Sequence, residues 1–234
     1  GGNRELARAM PLARTDLSQG KGGDRTDELQ GFVLQLDWDQ IEKEQGVYDT
    51  SRIDAAIAYA SSHNMRFRLR IRPGIHAPQW AKELSAHGRP LPRFFDHDEN
   101  KHSDLPYLYD PDYMSAWQAM MTALGAKYDS YTQVGEVNVS AFSPMTAEWM
   151  LLFSSERADN GKTNLQNMQD AGFTEEDRGA AVRADAAGML AAWPTTPITV
   201  WAHPYFSLDG GVSTSATFDW IDEIPVSLGP VVGH

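Results

Sequence analysis

The chain has 234 residues, no cysteine, 41% hydrophobic and 22% charged residues, and a formal charge of −12. That length can bury a sizeable core within one domain, and the lack of cysteine excludes disulfides, thiolate metal ligands and a cysteine nucleophile. The acidic balance argues against partnership with nucleic-acid backbones or anionic membranes, and no apolar run approaches the ~18 residues of a membrane span.

The first 30 residues read as a partly irregular segment, with one strand-like stretch over 6–16 and a flexible "SQGKGGDRTDE" that lacks the flanking elements of a phosphate loop. "GFVLQLDW" (31–38) then reads as a strand with Gln35 and Asp37 on one face. "DTSRIDAAIAYASS" (49–62) spaces Ile53, Ala56, Ile57 and Ala60 as a helix stripe behind an Asp49, Thr50 or Ser51 cap. "RFRLRIR" (66–72) alternates four arginines with Phe67, Leu69 and Ile71, so on a strand one face is apolar and the other cationic. A long polar loop is expected from about Ala77 to Asp110.

"DPDYMSAWQAMMTALGAKY" (110–128) carries Tyr113, Trp117, Met120, Met121 and Leu124 on one helical stripe. "QVGEVNVS" (133–140) reads as a strand with Glu136, Asn138 and Ser140 on one face. "FTEEDRGAAVRADAAGMLAAW" (173–193) is a helix with a Thr174 cap and an acidic first turn, stopped by Pro194. A strand over 197–205, a helix over 216–224 and the start of a strand over 229–234 complete the pattern.

Alternating strands and helices imply a parallel sheet with helices outside it. In an open doubly wound sheet both strand faces would be apolar, whereas here the second face is polar on every strand. A closed barrel satisfies this, because its inner face can hold ion pairs and a site. The expected fold is therefore an α/β (β/α)8 TIM barrel, with about six βα units visible over 1–234, treated as a single domain that lacks its last strands. The arginine ladder would face the lumen, with Arg68 and Arg70 paired to Asp37 and Glu136, since unpaired charges there are costly.

The segment 36–80 carries Trp38, Ile41, Glu42, Gly46, Tyr48 and Asp49 in a W-x-x-I-E-x-x-x-G-x-Y-D pattern, then Gly74, Pro78 and Trp80 as G-x-x-x-P-x-W. This resembles the second and third βα units of retaining (β/α)8 glycoside hydrolases, the β-galactosidase, cellulase and xylanase relatives. The resemblance implies hydrolysis of a poly- or oligosaccharide by a carboxylic acid/base pair, no cofactor, and an extracellular or periplasmic location. Such relatives carry Asn-Glu at the end of strand four, but here Asn138 is followed by Val139. The acid/base candidates are Glu148, in the loop after that strand, and Glu136 inside it. Glu148 is preferred because sites in these barrels lie at the carboxyl ends of strands. The nucleophile would lie on strand seven, past residue 234. Within the chain Asp37, Asp209 and Glu223 are the substitutes, each with a plainer structural role.

Asp37, Trp38, Arg72, His76, Trp80, Asn138, Trp201 and His203 fall at or near strand ends and are expected to contact the sugar, the indoles by stacking. "DHDENKHSD" (96–104) has D-x-D-x-N spacing, but Lys101 and Tyr107 stand where a calcium loop needs Gly and Glu, so no metal is assigned. Two other readings stay open. One is a carbohydrate-binding barrel that has kept the mouth without the chemistry. The other is a polysaccharide lyase using Arg72 and His76.

Overall fold

The computed structural model describes residues 30–97, 99–147, 157–200, 205–206, 208 and 212–213. Its centre is a four-stranded parallel sheet. The strands are β1 (Gly31–Asp37), β2 (Arg66–Arg72), β5 (Val134–Asn138) and β6 (Ile198–Thr199), adjacent in that order. A short helix α1 (Trp38–Ile41) and the longer α2 (Ser51–Ser62) connect β1 to β2. Helices α3 (Gln79–Ala86) and α4 (Pro111–Tyr128) lie between β2 and β5, and α5 (Asn164–Asp170) and α6 (Glu175–Ala192) between β5 and β6. Parallel neighbours joined through helices form the α/β architecture that the alternation predicts.

The helices start where local chemistry starts them. Asp110 caps α4 by accepting from the amides of Asp112 and Tyr113, with Pro111 in the first turn. Thr174 caps α6 by accepting from the Asp177 amide, and Thr163 opens α5 in a reciprocal capping box with Gln166. Their apolar stripes converge on the sheet. Tyr113, Trp117, Met120, Met121 and Leu124 of α4 are buried, as are Val182 and Met189 of α6 and the adjoining Trp193. α4 packs against α6 so closely that a Cβ at Gly125 would lie 2.0 Å from the Ala192 carbonyl oxygen.

The span from Ala77 to Asp110, expected to be a loop, holds α3 and an antiparallel hairpin of β3 (Arg93–Asp96) and β4 (Lys101–Asp104). α3 buries Ala81, Lys82, Ser85 and Ala86, with Trp80 and Leu84 half-buried against the core, so its inward face mixes small, polar and large residues. The hairpin is tied to the 157–164 segment. Arg93 bonds both carboxylate oxygens of Asp159 at 2.9 and 2.6 Å and also pairs with Asp104. The Asn164 side chain accepts from the Phe95 amide and donates to the Phe95 carbonyl, at 2.7 and 2.9 Å.

Of the strand expected over 197–205, Ile198–Thr199 forms β6, and residues 201–204 lie outside the described residues. Tyr205–Phe206 (β7) instead pairs antiparallel with Val212–Ser213 (β8). The elements expected over 6–16, 216–224 and 229–234 lie outside the described residues.

Candidate functional site

All four parallel strands point their carboxyl ends the same way, and the polar side chains gather there. The register places Asp37, the last residue of β1, directly beside Arg72, the last residue of β2. Arg72 Nε donates to Asp37 Oδ1 at 2.5 Å. The sequence pattern predicts that Arg68 and Arg70 pair with Asp37 and Glu136. For Asp37 cross-strand alignment decides otherwise, because Arg70 lies opposite Gln35 and Arg68 opposite Val33.

Arg68 meets Glu136 across β2 and β5 in a mostly buried ion pair. That pair sits four residues, or about 13 Å, before Arg72 along β2. Glu136 is therefore deep in the sheet with its charge engaged, and it is not among the groups at the strand ends. All the arginines of β2 but Arg66 are half-buried, so the cationic face does not open into bulk water.

Beyond β2 the chain turns through Gly74–His76, a single 3-10 turn. Gly74 has φ +63°, and a Cβ there would lie 2.0 Å from the Pro144 carbonyl oxygen, so only glycine fits. Its amide donates to the Tyr113 hydroxyl at 2.9 Å, and the Ile75 amide donates to the Pro144 oxygen at 2.8 Å. Lys82 reaches back from α3 to donate to the Ile75 carbonyl at 2.7 Å, and burial holds its ammonium below the usual lysine range.

This scaffolding delivers His76 to the Asp37–Arg72 pair. The His76 Nδ1 lies 3.7 Å from Asp37 Oδ1, and its buried Nε2 has no hydrogen-bond partner among the described residues. The side chain is 5% exposed, and burial lowers its pKa despite the pull of Asp37, which keeps the ring neutral. From the hairpin, Glu99 Oε1 comes within 3.8 Å of Arg72 Nη2. A hydrogen bond from Lys101 holds the Glu99 carboxyl below its ordinary range. Asp39 is pushed the other way, by burial and then by Asp37. The cluster thus combines a neutral imidazole, a guanidinium and several carboxylates around one strand end, a set suited to binding hydroxyl-rich ligands by charge-assisted hydrogen bonds.

The structure sorts the remaining sequence candidates. Trp38 is not at the ligand-facing surface. It is fully buried, packed edge-on against Trp80, Tyr113 and Trp117. Its indole donates to Glu42 Oε2 at 2.8 Å, while Glu42 Oε1 accepts from the Gly46 amide at 2.8 Å. The Trp38, Glu42 and Gly46 spacing of the sequence pattern is thus a staple that folds the segment after β1 back on itself, and Gly46 meets its φ of +77°. Trp80 is half-buried and donates to the Glu42 carbonyl at 3.2 Å, adding to the same staple.

Asn138 is buried, donating to the Ala147 carbonyl at 3.1 Å and accepting from the Thr199 hydroxyl at 3.1 Å. Glu148, Trp201, His203, Asp209 and Glu223 lie outside the described residues. Sequence reasoning missed Glu99, Asp96 and Lys101 as neighbours of the site. They were visible as a ligand-rich run over 96–104, but only the hairpin brings them to Arg72 and His76.

That run takes in Asp96, the last residue of β3, and Lys101–Asp104, which is β4. Elsewhere His87, Asp110 and Asp112 bring ligand atoms within 4.8 Å of one another. The Asp110 carboxylate is committed to capping α4 and to His87, at 2.8 Å.

No protein-family model matches the chain, and no curated protein matches it. Solved structures do resemble it. A β-galactosidase from Bacillus circulans sp. alkalophilus aligns with a TM-score of 0.52 at 11% identity, over 86% of this chain and 35% of that one. A GH10 structure from Paenibacillus barcinonensis aligns with a TM-score of 0.48 at 13% identity, over 88% and 52%. Xylanase B from Clostridium stercorarium F9 aligns with a TM-score of 0.48 at 12% identity, over 89% and 54%. The chain thus spans about half or less of the length of these structures. All three are TIM-barrel glycoside hydrolases, and the likeness to the β-galactosidase carries the conclusion that the described parallel sheet and its helices share an α/β fold with that structure.

Proposed function

We propose that the chain is part of a glycoside hydrolase barrel that binds a poly- or oligosaccharide at the carboxyl ends of its parallel strands. One observation carries this reading. The strand-end cluster of Asp37, Arg72, His76 and Glu99 sits where α/β sheets of this kind place their sites, on a fold shared with a β-galactosidase. Glu148 is the proposed acid/base, one residue past the Ala147 that Asn138 holds. Asp37, Arg72 and His76 would orient sugar hydroxyls, with Trp80, Asn138, Trp201 and His203 as further contacts. The second carboxyl of a retaining pair, about 5–5.5 Å away, would come from a later strand.

The alternative, a binding barrel without chemistry, is favoured by one observation. The Asp37 and Glu136 carboxylates on the described strands are both committed to arginine.

The test is a panel of polysaccharides and aryl glycosides, read as new reducing ends. Glu148→Gln should lower the rate by about 10²–10⁴-fold at unchanged melting temperature. Full activity in that variant would remove the assignment of Glu148. Binding of a glycan without cleavage would establish the binding-barrel reading, and an unsaturated ultraviolet-absorbing product would establish a lyase.

A further inference from the structure

Asp185 takes no part in the cluster described above. It lies on α6, is 1% exposed, and reaches across the core to the turn that leaves β5. Its Oδ2 accepts from the Ala141 amide at 2.8 Å and its Oδ1 accepts from the Trp117 indole at 3.1 Å, with the Ser140 amide also directed at it. The turn it holds, 139–147, is buried almost throughout and touches each neighbouring part of the strand-end face. Val139 donates to Thr199 of β6, Ser140 Oγ donates to Ile71 of β2, and Pro144 accepts from Ile75 beside His76. Ala147 accepts from Asn138.

We propose that Asp185 is a positioning residue whose carboxyl sets the order of the 139–147 turn, and with it the placement of the site's β5 loop, as a function of pH. Its bearing on catalysis rests on the reading of Glu148 given above; its action on the turn does not.

The direction follows from the surroundings. From the turn Asp185 meets only backbone amides, and from α4 the Trp117 indole. The titratable group facing it from α4 is Tyr113, whose hydroxyl burial keeps protonated. On its own helix Arg183, two residues away, is exposed on another face, and Arg178, seven residues away, pairs with Glu175 at 3.2 Å. Among the described residues no cation offsets a charge at Asp185. Burial pushes its pKa up to about 7 although three hydrogen-bond donors oppose the shift. A group that holds its proton more tightly in the closed turn favours that turn when protonated. As the pH rises toward 7, water solvates the anion better in an opened turn, and the closed population falls.

The experiment is hydrogen exchange of residues 139–147 from pH 5 to pH 8, expressed as protection factors so that the chemical pH dependence of exchange cancels. In the native protein, protection at Ser140 and Ala141 should fall at least about tenfold across this range, while protection in β2 stays level. Asp185→Asn, which cannot ionise, should abolish the fall. Trp117→Phe keeps the carboxyl but removes one donor, so the midpoint should move to higher pH. If Asp185→Asn does not fold, that shift still decides the matter. A level profile in the native protein, the same fall in Asp185→Asn, or an unmoved midpoint in Trp117→Phe overturns the proposal. Because this readout uses no substrate, failure to cleave any glycoside would count against the glycosidase reading alone.

Discussion

The contact between Gly74 and Pro144 gives the sharpest quantitative expectation. Alanine at position 74 meets two separate obstacles. The first is the backbone, since φ +63° is left-handed and costs a residue with a Cβ roughly 1–2 kcal/mol. The second is steric: the new carbon would sit 2.0, 2.3 and 2.6 Å from the Pro144 oxygen, the Pro144 carbonyl carbon and the Ser143 oxygen. All three are backbone atoms of a buried turn, so the two turns must separate. That breaks the Gly74–Tyr113 and Ile75–Pro144 hydrogen bonds and strands two buried amides, at about 1–3 kcal/mol each.

The sum, roughly 3–8 kcal/mol, is a large part of the 5–15 kcal/mol that holds an ordinary domain together. For a chain of this size it corresponds to a fall in Tm of roughly 6–30 °C. Gly46→Ala is the internal control. It shares the positive φ, at +77°, but a Cβ there meets nothing within 4 Å, so it should lose only the backbone part, roughly 2–8 °C. Thermal unfolding followed by circular dichroism measures both. Equal shifts in the two variants, or a Gly74→Ala shift below 3 °C, would refute the steric reasoning.

Other positions answer to the same logic. Arg68→Met and Glu136→Gln should each destabilise by about 3–5 kcal/mol because each leaves a mostly buried partner uncompensated, and Arg68→Met with Glu136→Leu together should recover most of that loss in urea unfolding. Gly125→Ala should lower the urea midpoint substantially, since its Cβ would press on the Ala192 backbone where α4 meets α6, and Gly161→Ala, with open space around it, should not do so by contact. Burial holds His76 below the ordinary histidine pKa, so the unfolded chain binds its proton more readily. This part of the stability is present above about pH 6.5 and is lost as the pH falls below it. In His76→Asn the Tm should fall less steeply from pH 6.5 to 5 than in the native protein, and parallel curves would show that another group is responsible.

Much of this architecture can be read from side-chain periodicity. The alternation in 66–72 and the stripes of 110–128 and 173–193 lie on long elements whose apolar faces all meet one core, so burial and pattern coincide. The pattern fails where an element is short or is held by polar contacts. α3 buries a lysine and a serine, and the hairpin strands are four residues each, held by Arg93 and Asn164 from distant parts of the chain. For α5 the local signal in the sequence is the T-x-x-Q capping box at Thr163–Gln166.

At the site, position on strands could be inferred but pairing could not. Which arginine meets Asp37 is fixed by strand register, a property of two segments together. Trp38 was misplaced for a related reason. An aromatic residue at a strand end suits stacking on a ligand as well as closing a core, and only the Glu42 carboxylate waiting for its indole decides between them.

The two hydrogen bonds between Asn164 and Phe95 make one amide side chain act as a one-residue strand added to the edge of the hairpin. With Arg93 gripping Asp159 on the same side, the hairpin and the amino-terminal turn of α5 are joined into a single mechanical unit. Glu99 and Lys101 ride on that unit, so on the proposed reading a sugar bound beside Arg72 would spend little of its own affinity on ordering that wall.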